Sequence, residues 1–455
     1  AGDTMKKQYS MLTDSPLKSI ILFALPIMAS SMLQYNYAFV DNIIVGRYVS
    51  SQALAAVGLT TQPKFLLMTA FVAMNTGVTA LIARNRGTND KEQANLVVRQ
   101  GLLFTFCATV ILSILGYLFA RPMVIFMGST EEIVTQWATQ YLQIQMIGFL
   151  SFALTSTITA ALRAVGDSKR PLYFLIICSI LNIILDLVFI IVFKMGIAGA
   201  AFATILSQAV SAILIIRSLT KDYTQLKLEL SKIRIHMPLL KAELRIGLPA
   251  CLQTIMYGIT NIVIQTFVNS FDTTTVAAWA VLGKVDVIFW AVNGAFGIAV
   301  TTFCGQNFGA GKMDRVYRSV RTSLVMALTV GGSLLGTLAL LARPIFGLFT
   351  TDIAVVEIGV YMLLFMIPSY VVYIFVEIFT GALRGVGDVM IPTIITLCGV
   401  GLVRLPWLLI MTPIRKELST VMISYPLAWA ATALFMVPYY FYKKKKGFAM
   451  QTARK

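Results

Sequence analysis

Long apolar stretches recur along the whole chain and restrict its fold more than any other feature. Hydrophobic residues make up 58% of the 455 residues and charged residues only 13%, which is far from the composition of a soluble domain. A helix needs about 20 apolar residues to cross the hydrocarbon core of a bilayer. The sequence therefore predicts an all-α polytopic membrane protein with twelve spans, at about 17–46, 51–80, 96–120, 133–162, 171–193, 197–217, 246–270, 275–303, 321–341, 354–383, 391–411 and 420–442.

The basic residues are divided unequally between the two sides of the predicted spans. The net charge is +17, from 37 Lys and Arg against 20 Asp and Glu. If both termini are cytoplasmic, 28 of the 37 basic residues lie on the inner side, 6 in outer loops and 3 within spans. Basic residues favour cytoplasmic loops. We therefore expect a multi-pass protein of the cytoplasmic (inner) cell membrane with both termini inside, and no binding to nucleic acid.

Short motifs recur at a nearly constant distance along the chain. ALRAVGD at 161–167 returns as ALRGVGD at 382–388, and ALP at 24–26 returns as GLP at 247–249, with offsets of 221 and 223 residues. A third motif, Arg-Pro, recurs with an offset of 222. The chain is therefore an internal duplication with six spans in each half. Since an even number of spans inserts both halves in the same sense, we expect two six-helix lobes related by a pseudo-two-fold axis along the membrane normal.

The longest hydrophilic segment separates the two halves. We expect an N-terminal lobe at 1–217, a cytoplasmic linker at 218–245, and a C-terminal lobe at 246–455 that ends in a basic tail. Each copy of the repeated motif contains an arginine and ends in an aspartate, which are Arg163 and Asp167 in the first copy. We expect this pair, and the pair Arg384–Asp388 in the second copy, to stabilise the two cytoplasmic turns.

Polar groups inside the predicted spans of the first half indicate a site. Asp41 and Asp186 each lie 15 residues after the proline near the start of their spans, so at ~1.5 Å per residue both carboxyl groups lie ~22 Å along, in the outer half. Asn182 lies one turn before Asp186, and Thr204 lies about 10 Å from the outer start of the sixth span. Such polar groups can also join helices by hydrogen bonds. An intramembrane carboxylate is costly and normally faces a protein interior or a wet cavity, so the two aspartates predict an ion site.

The same motifs carry a resemblance to a known family. Two six-helix halves, ALRxVGD after the fourth span of each half and GQNFGAGKMDR after the eighth span resemble the multidrug and toxic compound extrusion (MATE) family over residues 12–442. The resemblance is closer to the DinF-like branch than to the NorM-like branch. It implies that an N-lobe cavity binds a proton or Na⁺ through Asp41, Asn182, Asp186 and Thr204.

The resemblance implies roles for further residues of the first half. Pro26 matches the proline about which the first helix is proposed to bend. Tyr37 and Tyr141 match positions that line the same cavity, and we assign Gln34 and Asn36, polar residues of the first span, to that cavity as well.

The second half lacks the paired acids. The counterparts of Asp41, Asn182 and Asp186 are Ile264, Val403 and Trp407. The NorM-like branch relies on acidic residues of the C-terminal lobe, whereas the seventh span of this chain offers Gln253 and no carboxylate. This difference favours the DinF-like branch, and we assign Gln253 to the substrate cavity.

Other charges lie within the spans and have two interpretations. Asp286 lies about 17 Å into the eighth span, and its repeat partner is Lys64, so the two could face each other across a central cleft. Lys284 is an equally near partner for Asp286. Glu377 lies in the inner half of the tenth span, and Arg404 in the eleventh could pair with a carboxylate of that lobe. These charges have two possible roles. Lys64, Asp286 and Glu377 could bind substrate, or they could form local charge pairs.

The resemblance implies a secondary active antiporter that exports amphipathic, cationic organic compounds in exchange for inward H⁺ or Na⁺, by alternating access of two lobes. Its partners would be small organic substrates and lipid, and the protein would be a monomer without a cofactor beyond the coupling ion. Five widely spaced cysteines and the single His236 form no metal motif. The one metal ion that the resemblance implies is Na⁺, as the alternative to a proton at the four N-lobe groups.

Three other function classes fit the sequence less well. A flippase for lipid-linked oligosaccharides, in the same wider superfamily, has more spans and a cationic cavity. A channel or receptor is disfavoured by the duplicated architecture. An enzyme is disfavoured because no nucleophile, base and orienting group can be assembled from these spans.

Overall fold

Twelve long helices dominate the structure. The computed structural model describes residues 10–128, 131–222, 226, 228–229 and 234–448. Within this part of the chain, twelve helices are long and apolar enough to cross a membrane, and no strand occurs, so the predicted all-α fold with twelve spans is confirmed. The helices are α1 (Pro16–Tyr48), α2 (Gln52–Gly87), α3 (Lys91–Leu118), α4 (Glu132–Ala164), α5 (Lys169–Val192), α6 (Gly196–Thr220), α7 (Met237–Val268), α8 (Thr273–Gly309), α9 (Met313–Leu340), α10 (Ile353–Gly385), α11 (Met390–Ile414) and α12 (Leu418–Lys446). Short helices at Ala120–Phe126 and Ala342–Gly347 follow α3 and α9.

Two helices begin well before the apolar runs that predicted them. Helix α7 starts at Met237 and not near residue 246, and α9 starts at Met313 and not near residue 321. The additional turns, MPLLKAELRI and MDRVYRSV, contain charged residues. Hydropathy locates the part of a helix that crosses lipid, and it does not detect polar turns that continue the same helix beyond it.

Several spans contain irregular backbone. Helix α2 is interrupted at Asn75, between Met74 and Thr76, and α8 at Asp286. Turns of π-helix occur at Val188–Val192 in α5 and at Gly399–Arg404 in α11. Irregular backbone at membrane depth requires protein or water to satisfy it, and π-helical turns are often found at functional sites. These interruptions therefore mark places where polar groups are concentrated.

The chain forms two compact units. The N-terminal unit comprises Leu25–Cys251, and the C-terminal unit comprises Ala1–Ala24 with Leu252–Lys455. Both changes of unit occur inside a helix and next to a repeated proline, Pro26 in α1 and Pro249 in α7. The start of α7 thus belongs to the N-terminal unit, and the start of α1 to the C-terminal unit. The predicted lobe boundaries, 1–217 and 246–455, stay predictions.

One central helix organises each unit. In the N-terminal unit α4 packs against α2, α3 and α6, and in the C-terminal unit α10 packs against α8, α9 and α12. Small residues allow close approach: a Cβ at Gly148 would meet the side chain of Ile205 of α6, and a Cβ at Gly381 would meet Val300 of α8. Small residues at helix contacts are the usual packing device in membranes.

The arginine–aspartate pairs expected in the repeated motif do not form. Asp167 binds Arg170 at 3.3 Å and accepts the backbone N–H groups of Lys169 and Arg170. Asp388 binds Lys443 at 2.9 Å. The carboxylate of Asp167 accepts N–H groups at the start of the next helix, as a capping residue does. It therefore points toward that helix and not toward the arginine that precedes it in the motif.

Candidate functional site

The buried polar groups of the N-terminal unit lie on three helix faces. On α5, Asn182 and Asp186 are fully buried, with Cys178 one turn before them. On α6, Thr204 is buried and donates its hydroxyl to the carbonyl of Ala200 at 3.0 Å. On α1, Tyr37 and Asp41 are one turn apart on one face. The spacing of four residues within each helix predicted these faces correctly.

The structure brings the two aspartates together. The carboxyl groups of Asp41 and Asp186 are adjacent and interact with each other. The Tyr37 side chain lies against Thr204 and near both carboxyl groups, and Tyr141 of α4 lies near the same pair. Four helices, α1, α4, α5 and α6, thus supply a single cluster of polar side chains, and each of them carries a residue that the resemblance implied for this cavity. We call these residues, with Asn182, the acidic cluster.

The acidic cluster contains buried polar atoms without hydrogen-bond partners among the described residues. They are Oδ1 of Asp41, both carboxylate oxygens of Asp186, both polar atoms of the Asn182 carboxamide, and the hydroxyls of Tyr37 and Tyr141. Buried polar groups are normally paired, and each exception requires an explanation. Several unpaired oxygens in one place are what a site for a small cation or a proton offers.

Lys64 of α2 belongs to the same cluster. Its ammonium lies 5.3 Å from the ring centroid of Tyr141, and its charge acts on Asp41. The sequence analysis placed Lys64 opposite Asp286 and did not associate it with Asp41. Asp286 hydrogen-bonds within the C-terminal unit, and its pairing with Lys64 stays a prediction.

The remaining predicted residues of α1 lie apart from the cluster. Gln34 and Asn36 are exposed, and among the described residues no hydrogen bond connects them to Asp41 or Asp186. Pro26 lies inside the continuous helix α1, where its carbonyl accepts the hydroxyl of Ser30 at 2.8 Å. Since a proline lacks the backbone N–H that would donate to the carbonyl one turn before it, this position weakens α1 locally.

The C-terminal unit contains an aromatic cluster around Asp286. One carboxylate oxygen of Asp286 accepts the hydroxyl of Tyr370 at 2.9 Å and the indole N–H of Trp290 at 3.2 Å. The ring centroids of Trp290 and Trp429 are 5.8 Å apart, within the range of favourable aromatic pairs. We call the following residues the aromatic cluster: Phe289, Trp290, Tyr370, Tyr373, Tyr425 and Trp429.

Arg404 completes the aromatic cluster without a carboxylate partner. It is 1% exposed, its guanidinium lies 4.3 Å from the ring centroid of Tyr425 and 5.5 Å from that of Trp429, and its Nε donates to the carbonyl of Ser424 at 3.4 Å. The expected ion pair of Arg404 does not occur among the described residues, because aromatic faces and a backbone carbonyl surround it instead. Lys284 likewise lies over Phe349, at 5.8 Å from its centroid.

Glu377 and Gln253 converge on one arginine. The Arg384 guanidinium donates to the Gln253 carbonyl oxygen at 3.2 Å, and its charge acts on Glu377. The Glu377 carboxylate lies against Gly297 of α8, where no side chain could fit. Two residues predicted separately for a substrate cavity are therefore parts of one polar group in the C-terminal unit.

Several further residues of these buried surfaces were not predicted from the sequence. Cys178 and Ser207 extend the buried faces of α5 and α6, and their spacing of four and three residues from Asn182 and Thr204 was the available signal. The aromatic cluster had a weaker signal, because aromatic residues are frequent in every span. Only the structure separates those that surround Asp286 from those that face outward.

Comparison with known proteins identifies the family. The model of the MatE family matches this chain twice, over residues 26–188 and 249–410. The chain belongs to the MatE family. The two matches begin 223 residues apart, the offset of the ALP and GLP motifs, so the internal duplication is confirmed. MatE proteins are membrane transporters, and this one is a multi-pass membrane protein.

Relatives cover two thirds to nearly all of this MatE chain. The probable multidrug resistance protein YoeA of Bacillus subtilis is 29% identical over 94% of each chain. The probable multidrug resistance protein YpnP of the same organism is 31% identical over 68% of this chain and 69% of its own. A solved structure described as the outward-facing conformation of a multidrug resistance MATE family transporter of the MOP superfamily shares the fold, with a TM-score of 0.88, 22% identity, and coverage of 98% of this chain and 99% of that one.

Proposed function

We propose that this MatE protein is a secondary active antiporter that exports amphipathic, cationic organic compounds in exchange for inward H⁺ or Na⁺. The acidic cluster is the single observation that carries the proposal. Two adjacent buried carboxyl groups, an unpaired carboxamide and two unpaired hydroxyls can take up one small cation. Intramembrane ionisable residues usually mark ion pathways or proton relays.

The coupling requires that cation and substrate bind different states of the protein. Cation binding at Asp41 and Asp186 favours the state that releases substrate outward. Because coupling free energies are reciprocal, substrate binding must weaken cation binding by the same factor. Pro26, next to the point where α1 changes unit, is the position about which we propose that α1 bends.

The substrate class is supported by the aromatic cluster and by the names of the relatives. Aromatic faces near a carboxylate attract organic cations, at ~0.5–2 kcal/mol per cation–π contact. Asp286 lies among such faces in the C-terminal unit, and the relatives YoeA and YpnP are named as probable multidrug resistance proteins. The paired acids of the N-terminal unit support the DinF-like branch. The positive-inside distribution supports a position in the cytoplasmic membrane with both termini inside.

Reconstitution tests this proposal directly. Purified protein in liposomes should export a fluorescent organic cation when either a pH gradient or a Na⁺ gradient is imposed, and neither gradient should act on liposomes without protein. The gradient that drives efflux identifies the coupling ion. Efflux that proceeds equally fast without any gradient would indicate a passive pathway and contradict antiport.

A further inference from the structure

A further buried carboxyl group of the N-terminal unit, that of Glu243, lies near the start of α7. Two close contacts hold this part of α7 against the interruption of α2: a Cβ at Gly77 would meet the carbonyl of Glu243, and a Cβ at Gly247 would meet the carbonyl of Met74. Directly before the first residue of α7, the backbone N–H of His236 donates to the Gln100 side chain of α3 at 2.7 Å. The backbone of α7 is therefore fixed at the place where α2 is interrupted.

Glu243 lines a small cavity at this place. The cavity has a volume of about 10 Å³, which is roughly the room that one water-sized particle occupies. Its polar lining consists of Glu243, the carboxamide residue Asn75 and the hydroxyl residue Thr105, and the rest is apolar or glycine. The cavity is too small for an organic substrate.

Among the residues that the structure describes, no charged partner compensates Glu243. The residue is 5% exposed, and its Oε1 is buried without a hydrogen-bond partner among the described residues. Of the residues that line the cavity, Glu243 alone can ionise. The nearest basic residues on the same helix, Lys241 and Arg245, are exposed and lie two positions away on either side, so they project from other faces of α7.

The hydroxyl of Thr105 presents lone pairs to the cavity. The Thr157 hydroxyl lies 3.0 Å from Oδ1 of Asn75 and 3.1 Å from the carbonyl of Ala153, and its single proton must serve these two acceptors. Thr105 and Thr157 are 2.7 Å apart, and Thr105 donates this bond when the Thr157 proton is directed to Asn75 or to Ala153. The oxygen of Thr105 then keeps acceptor capacity, and Asn75 Oδ1 keeps its second lone pair.

We propose that Glu243, Asn75 and Thr105 form a second cation site that holds one proton or one Na⁺. An uncompensated carboxylate in an apolar surrounding is strongly disfavoured, and a bound cation removes the cost. The site is built by α2, α3 and α7, whereas the two aspartates of the acidic cluster lie on α1 and α5. A role for this cation in transport rests on the proposed antiport, whereas the binding itself does not.

Carbodiimide labelling tests the site without any transport measurement. A membrane-soluble carbodiimide reacts with a protonated carboxyl group, and at about pH 7 an exposed glutamate is ionised. Purified protein in a choline buffer should therefore be labelled at Glu243, as read by peptide mass spectrometry, while the exposed Glu132 stays unlabelled. If Na⁺ is the ligand, Na⁺ should slow the labelling of Glu243; if a proton is the ligand, only alkaline pH should slow it.

Matched variants separate binding from general packing. Thr105→Val should weaken the protecting effect of the cation about fivefold to tenfold, the value of one lost ligand oxygen. Thr109 lies one turn further along α3, and its buried hydroxyl donates to the backbone carbonyl of Thr105. Thr109→Val should change the protecting effect of the cation by less than about twofold. Asp41→Asn with Asp186→Asn should leave Glu243 labelling unchanged, so failure of the proposed antiport does not affect the result. Absence of Glu243 labelling, or labelling independent of both Na⁺ and pH, would overturn the proposal.

Discussion

Lys64 is the fixed cation of the acidic cluster, and replacing it should alter the coupling ion's affinity. The ammonium of Lys64 acts on Asp41 and lies 5.3 Å from the ring centroid of Tyr141. Any coupling ion that binds Asp41 must therefore approach a positive charge already present. Lys64→Met removes that charge and keeps most of the side-chain volume, whereas Lys64→Arg keeps the charge.

The size of the effect follows from the charges involved. For two unit charges ~6–8 Å apart, Coulomb's law with an effective dielectric constant of ~20 gives ~2–3 kcal/mol, and we take this as the order of magnitude of the Lys64 effect. Loss of this repulsion should tighten cation binding about 30-fold to 150-fold, since 1.4 kcal/mol corresponds to a factor of ten. The maximal efflux rate should fall at the same time, because a cation that binds more tightly is released more slowly to the inside.

Proteoliposomes with a fluorescent cationic dye provide the assay. The outside concentration of H⁺ or Na⁺ that gives half-maximal efflux should drop in Lys64→Met by the stated factor, and change less than about threefold in Lys64→Arg, which keeps the charge. Equilibrium dye binding to the purified variants serves as the control for folding. If Lys64→Met has the same cation dependence as the unchanged protein while it binds dye normally, Lys64 does not compete with the coupling ion and the reasoning is wrong.

Three further predictions concern the two repeats and the topology. Asp41→Asn or Asp186→Asn should abolish gradient-driven dye efflux and change dye affinity much less, since an amide cannot cycle between charged and neutral forms; efflux and equilibrium binding are measured on the same preparation. Ile264→Asp, added to Asp41→Asn, should not restore efflux and should reduce the yield of folded protein in size-exclusion chromatography, because Ile264 is 1% exposed in an apolar cluster. Arg234→Cys in a cysteine-free background should react with an impermeant thiol reagent only in inside-out vesicles, and labelling of intact cells would contradict the cytoplasmic position of the linker.

The sequence was sufficient for the number of spans and for their duplication, and insufficient for their ends. Hydropathy reports transfer into lipid, so it located all twelve apolar runs. It missed the first turns of α7, which carry Lys241, Glu243 and Arg245. Those turns are helical because they continue a helix that already exists, so that each added residue costs no new nucleation. The Glu243 cavity lies in this segment, which the sequence assigned to a linker.

Within the candidate site, periodicity succeeded along helices and failed between them. Spacing of four residues placed Asn182 with Asp186, and equal depth placed Asp41 near Asp186. Neither the spacing nor the depth specifies how each helix is rotated about its axis relative to its neighbours. That rotation decides which faces of two helices meet. Lys64 was therefore assigned by the repeat offset to Asp286, while packing of α2 against α4 brings its ammonium to Tyr141.

The duplication also shows how one structural position has acquired different chemistry in the two units. In the N-terminal unit Asn75 donates to Ser156 at 3.0 Å. At offsets of 222 and 221 residues, the counterparts are Gly297 and Glu377, and these two are again in contact. A neutral hydrogen bond between α2 and α4 is thus replaced by a carboxylate that occupies the space left by a glycine between α8 and α10. The counterparts of Asp41 and Asp186 are apolar or aromatic, so the adjacent pair of buried acids occurs in the N-terminal unit and not at the same positions of the C-terminal unit. The charge of Arg384 acts on Glu377 and that of Lys64 acts on Asp41, but Asp41 alone of these two acids has a second carboxyl group, that of Asp186, beside it. Two adjacent carboxyl groups repel each other when both are charged, and a bound cation removes that repulsion; this geometry supports our proposal that cation exchange takes place in the N-terminal unit.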